Sequence, residues 1–298
     1  MSDIASPKSA PDQAAEMRNL AADTDTGARH PIGLQGATIS ALAIAWSLFQ
    51  IFTASAMPFW LYEVTGINFV FNGQQQRIVH LAFALALAAL AYPLLRSSPR
   101  NRIPWYDWVL AAAGAVCCLY LLVFDAAISA RSGLPTTTDL IISTIGLLLV
   151  ALSVLRTLGL PMLIVAGVFA AYVFFGDAKW LPDVIRWKGA SYGKAMWHFW
   201  MQTEGVFGVA LGVSASMIFL FVLFGALLER AGAGNYFIKL AFALLGHLRG
   251  GPAKAAVVSS ALSGIYSGSS IANVVTTGTF TIPLMKRCLL YTSPSPRD

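Results

Sequence analysis

The sequence predicts an all-α integral membrane protein, with about six to seven transmembrane helices, an interfacial amphipathic segment and a re-entrant helical hairpin. Three observations carry this. The 298 residues are 57% hydrophobic and only 11% charged, with a mean hydropathy of +0.66; an ordinary soluble domain carries about twice that charge. Several apolar runs approach or exceed the roughly 20 residues that cross a hydrocarbon core. The Lys and Arg residues sit singly or in small groups between those runs, as loop charges beside membrane spans do.

Residues 1–35 are polar, with mixed charges (Asp3, Lys8, Asp12, Glu16, Arg18, Asp23, Asp25, Arg29) and no apolar period. They read as a disordered tail, not as a signal peptide. The first span covers about 37–57 and stops at Pro58; Trp60, Tyr62 and Gln74-Gln75-Gln76 then mark an interface loop. The second runs from Ile78 to Leu95 and is closed by Arg96, Pro99, Arg100 and Arg102. The third covers Trp105 to Ile128, with Trp105, Tyr106 and Trp108 as an aromatic anchor. A fourth spans Asp139 to Leu155, and a fifth, Leu160 to Phe175, carries Pro161 in its first turn.

Between 177 and 204 the pattern breaks. Lys179, Arg186, Lys188 and Lys194 mix with Trp180, Trp187, Trp197 and Trp200, an amphipathic composition suited to the membrane interface, with Trp197 and Trp200 as an interfacial belt. The sixth span, Val206 to Leu228, ends at Glu229-Arg230. Tyr236 to Leu245 is too short to cross upright, Gly246 to Lys254 forms a basic, Gly-rich break, and Val257 to Met285 is the last apolar stretch. Loop charge alternates: three Lys/Arg in the tail, one in 58–77, three in 96–104 and one in 129–138. That places the N-terminus in the cytoplasm. Strict alternation then puts the basic 177–204 segment outside, so either it lies in the membrane plane or one span count changes.

The net charge of +6 does not indicate nucleic acid, because no basic face with interleaved aromatics exists. Cys117 and Cys118 are adjacent within an apolar run, which suits neither a disulfide nor a metal site. His80 and His247 fall beside span ends and His198 in the interfacial segment, as solvated or capping histidines. No nucleophile–base pair or ligand set converges at membrane depth, so no enzyme and no cofactor is expected.

The segment Val257–Met285 has no charged residue across 29 positions, about 44 Å as one straight helix. Its middle concentrates Ser263, Gly264, Ser267, Gly268, Ser269 and Ser270, which are poor helix formers. A break there gives two half-helices meeting inside the membrane, the arrangement that builds ion and substrate sites in secondary transporters. The available ligands are the hydroxyls of Ser267, Ser269, Ser270, Thr276 and Thr277, the Asn273 amide and backbone carbonyls. Neutral oxygens suit a small hard cation such as Na⁺. The alternative is helix packing alone, since Gly264 and Gly268 form a GxxxG pattern. Length favours the hairpin.

Three motifs then carry a resemblance: Phe224-Gly225-Ala226-Leu227-Leu228-Glu229-Arg230-Ala231-Gly232-Ala233-Gly234, then Gly246-His247-Leu248-Arg249-Gly250-Gly251-Pro252-Ala253-Lys254, then Ser267-Gly268-Ser269-Ser270-Ile271-Ala272-Asn273-Val274-Val275-Thr276-Thr277-Gly278. Together they resemble the large membrane subunit of tripartite ATP-independent periplasmic (TRAP) transporters, of the type fused behind a small four-span subunit. The resemblance implies residues 36–158 as the small-subunit-like region and 159–287 as the start of the large one, with its first hairpin at 254–285. It implies import of organic acids across the bacterial inner membrane with Na⁺ as coupling ion. Substrate comes from a periplasmic binding protein, commonly of the TAXI class, and an elevator-type mechanism moves it. It assigns ion and substrate contact to Ser267, Gly268, Ser269, Ser270, Asn273, Thr276 and Thr277, with Na⁺ at Ser267, Ser269 and Asn273.

Residues 288–298 match nothing in such a family and read as a non-native tail on an N-terminal fragment. Two other readings stay open: a secondary carrier working without a binding protein, and a membrane scaffold without transport activity.

Overall fold

The computed structural model describes residues 28–29, 31–94, 98–179, 181–248 and 250–265. The N-terminal tail expectation and the 288–298 tail lie outside these residues. Every regular element among them is helical. Contacts divide the chain into two compact units, one holding Ala28–Phe219 and the other Leu220 onward.

In the first unit, α1 (Leu34–Ala54) and the short α2 (Met57–Thr65) precede α3 (Gly73–Ala91) and α4 (Trp105–Val123). A one-turn-and-a-half helix α5 (Asp125–Ala130), then α6 (Thr137–Thr157) and α7 (Leu160–Phe175), come next. Two starts are fixed by reciprocal capping: Asn72 with Gln75 opens α3, and Thr136 with Asp139 opens α6. After an irregular stretch, α8 (Tyr192–Met196) runs into a π-helical turn at Trp197–Met201. One further helix, α9 (Val209–Arg230), contains a second π-turn at Ser214–Ile218.

Among the described residues four helices are long and apolar enough to cross a membrane: α1, α4, α6 and α9, none more than 33% buried over its apolar window. So much exposed apolar surface requires lipid as solvent, and the chain is an all-α, multi-pass membrane protein. The 16-residue α7 buries nothing. The second predicted span, α3, is instead the hub of the unit. It packs on α1, α4 and α6 and buries Ile78, Leu81, Ala82, Leu85, Ala89 and Leu90. Its polar first turn keeps it out of that set of four; there Gln75 closes the cap with Asn72, while Gln76 and Arg77 face inward to partners.

The 177–204 segment is not one amphipathic helix. Residues 181–191 fold back on the end of α7, with Trp187 N–H donating to Gly176 O and Ala190 N–H to Val173 O. Trp197 and Trp200 form no interfacial belt: they are 5% and 0% exposed, in the core with Cys117, Cys118, Leu149 and Phe207. The physical reason is close approach to α6. A Cβ at Gly146 would sit 2.4–2.6 Å from three atoms of the Trp200 ring, so only glycine admits the indole there.

In the second unit, α10 (Ala233–Leu245) packs against α11 (Gly251–Gly264). The break between them is shorter than the sequence implied, because Lys254 already lies within α11.

Candidate ion and substrate site

The residues expected to bind ion and substrate, Ser267, Gly268, Ser269, Ser270, Asn273, Thr276 and Thr277, lie outside the described residues. What is described is the helix that leads to them. On α11, Ala255, Ser259 and Ser263 recur every four residues and are 0%, 1% and 2% exposed. They form a small-residue face, and α10 buries Gly234, Ile238 and Ala241. The Ser259 and Ser263 hydroxyls have no hydrogen-bond partner among the described residues. The four-residue spacing continues in sequence to Ser267.

The first unit holds a polar cluster that the sequence pattern did not reveal. His80 is not a solvated or capping residue: it is 4% exposed, between α1 and α9. Trp46 Nε1–H of α1 donates to His80 Nδ1 at 3.2 Å, and the Gln50 amide nitrogen lies 2.5 Å from the same atom. An indole nitrogen only donates, so Nδ1 accepts and the proton sits on Nε2. His80 Nε2 then faces Ser214 Oγ at 3.3 Å. One helical turn earlier, Gln76 Nε2 donates to Gln50 Oε1, Thr53 Oγ1 and Ala215 O at 3.2–3.3 Å. The signal available in sequence was Gln76 and His80 at helical spacing on a helix with an otherwise apolar face.

Charge is buried at two further places. Asp107, 0% exposed, pairs with Arg29 at 2.7 Å and Arg156 at 2.9 Å. The same arginines reach the last carbonyls of α3: Arg156 donates to Ala89 O and Tyr92 O, and the Arg29 backbone N–H to Ala91 O. A helix C-terminus favours cations, so three elements converge on one node. The cavity beside Arg156, lined by Leu85, Leu110, Leu149 and Ser153, is about 10 Å³, too small for an organic acid. At the opposite end of α6, Asp139 accepts from Arg131, Tyr120 and Thr136. The hydrogen bonds to Asp139 hold the Arg131 guanidinium above its ordinary pKa. Among the described residues no three His, Cys, Asp or Glu side chains are grouped to hold a metal.

These nodes fasten helices to one another. Residues 145–289 match the family model described as "Tripartite ATP-independent periplasmic transporter, DctM component". The matched stretch begins inside α6 and includes all of Ser267–Thr277. It supports the TRAP permease family, which is a family of transporters and not of enzymes. No curated protein and no solved structure matches the chain.

Proposed function

We propose that this chain is a permease component of a Na⁺-coupled secondary transporter that imports organic acids delivered by a periplasmic binding protein. The observation that carries the reading is the family match over residues 145–289, which takes in the uncharged Ser267–Thr277 segment. In this reading Ser267, Ser269 and Asn273 supply neutral oxygens to Na⁺, and Gly268, Ser270, Thr276 and Thr277 contact the substrate around them. Neutral ligands leave the cation's charge available to balance a carboxylate, which couples the two cargoes electrostatically. Residues 36–158 serve as the fused small subunit, a fixed framework, while 159–287 begin the part that carries substrate by an elevator motion. The protein sits in the inner membrane with its N-terminus in the cytoplasm and takes substrate from a binding protein of the TAXI class.

Reconstitution with the binding protein and an imposed Na⁺ gradient tests this, using labelled mono- and dicarboxylates. Uptake is expected to require Na⁺. It should fall at least tenfold in the combined variant Ser269→Ala, Ser270→Ala, Asn273→Ala, with the amount of inserted protein unchanged. Uptake that persists at wild-type rate in that variant overturns the site assignment. Uptake that ignores Na⁺ overturns the coupling.

A further inference from the structure

The π-turn in α9 is held from outside. Phe219 N–H donates to Ser214 O, five residues back, and so passes over Ala215 O. In an α-helix that N–H would have gone to Ala215 O. Here Gln76 Nε2 of α3 donates to Ala215 O at 3.3 Å instead, and His80 Nε2 faces the Ser214 hydroxyl at 3.3 Å. Between them, Arg77 donates to Phe207 O at 2.9 Å, in the turn before α9. The Arg77 guanidinium also lies where a Cβ at Gly212 would meet it at 2.7–2.9 Å. Gln76, Arg77 and His80 thus form one row of donors on α3, directed at successive points of 207–215.

The far side of the row is equally tied. Trp46, Gln50 and Thr53 of α1 accept from or donate to Gln76 and His80. Apolar packing would join these helices without the cost of burying amides and an imidazole. Polar groups in such a place contribute geometry, because each must meet its partner at one distance and angle. The geometry fixed here is the register of α9. A π-turn contains one residue more than the α-helical path, which rotates all later residues of the helix by about 100°. Phe219, the first residue after the turn, is thereby brought onto Trp46 and His80, with ring centroids at 4.6 and 5.8 Å.

We propose that Gln76 and His80 are positioning residues that hold the π-turn at Ser214–Ile218 and so set the rotational phase of α9 at Phe219 against α1 and α3. Its consequence for transport rests on the proposed permease function, because α9 lies within the matched stretch; the phase itself does not. Without the two side chains the turn relaxes to α-helix. Ile218 then takes the orientation that Phe219 has now.

Single cysteines at Ile218 and Phe219, in a Cys117→Ala, Cys118→Ala, Cys288→Ala background, read this phase by maleimide labelling in detergent. Ile218 is 53% exposed, and Phe219 is only half-buried. In the parent the position 218 cysteine should label the faster of the two. In Gln76→Leu, His80→Phe its rate should fall at least fivefold, towards the parent rate at 219. Deleting Ser216 in the same background removes the extra residue and should restore the parent rates, which a merely destabilised helix would not do. Unchanged rates in the double variant overturn the proposal. Should that variant fail to insert, Gln76→Asn, Ser214→Ala gives the milder form of the same test, and unchanged rates there also overturn it. Deletion of Ser216 alone should leave the parent labelling pattern intact; a shifted pattern counts against the proposal. No transport is needed for this readout, so its failure is separate from a failure of Na⁺-driven uptake.

Discussion

The two compact units use polar groups in opposite ways. In Ala28–Phe219, buried polarity is gathered into three linked clusters, Arg29–Asp107–Arg156, Arg131–Asp139 and Gln50–Gln76–His80, beside the buried Trp197 and Trp200 indole N–H groups, which have no hydrogen-bond partner among the described residues. In the described part of the second unit, the buried polar groups are two serine hydroxyls with no partner, on a face of small residues. An ion pair in hydrocarbon has one acceptable geometry, since losing a partner leaves an uncompensated charge. A hydroxyl loses far less when its partner changes. The first unit is built to stay in one arrangement. The helix approaching the expected ion site carries no such commitment among the described residues.

Three substitutions sharpen or break this contrast. The largest effect is expected for Asp107→Asn, which leaves two buried guanidinium groups facing a neutral amide. It should cost about 3–5 kcal/mol of stability, read as a lowered unfolding midpoint in detergent. A midpoint within error of wild type would mean that the triad is not a structural node. Gly146→Ala comes next. Its Cβ would meet the Trp200 ring at 2.4–2.6 Å, and such overpacking costs about 1–3 kcal/mol, against a helix-propensity gain of about 1 kcal/mol. Thermal unfolding should show a net loss, and a gain would mean that the indole has room to move aside. The smallest effect is expected in the other unit. Ser259→Ala removes a hydroxyl that makes no hydrogen bond among the described residues, so stability should change by no more than about 0.5 kcal/mol in either direction. A large loss there would erase the contrast.

The helices themselves were legible because apolar run length is a local property. The expected span Leu160–Phe175 coincides with α7, and 37–57 and 139–155 lie within a few residues of α1 and α6. The polar nodes were not legible. Arg29, Asp107 and Arg156 meet only after three helices have packed, and no local pattern announces partners so far apart in the chain. Trp197 and Trp200 were misread for a related reason: beside lysines, tryptophan suits an interface, and only Gly146 on another helix reveals the slot that takes it inside. His80 shows the same limit, since its depth depends on α1 and α9 and not on its own neighbours. The π-turns leave no mark in composition. Of the candidate site, sequence chemistry named the residues, and they lie beyond the described part of the chain.

The Arg29 contact also bears on how the protein is made. Arg29 precedes the first helix, yet its partners are Asp107 of α4 and the last carbonyls of α3, and Asp107 is shared with Arg156 in the last turn of α6. During synthesis it emerges from the ribosome first among the three, its carboxylate partner follows only with α4, and the triad closes only when α6 brings Arg156 to the same carboxylate. Closing the triad is therefore a late event, an assembly checkpoint at which the start of the chain is fastened to helices inserted long after it.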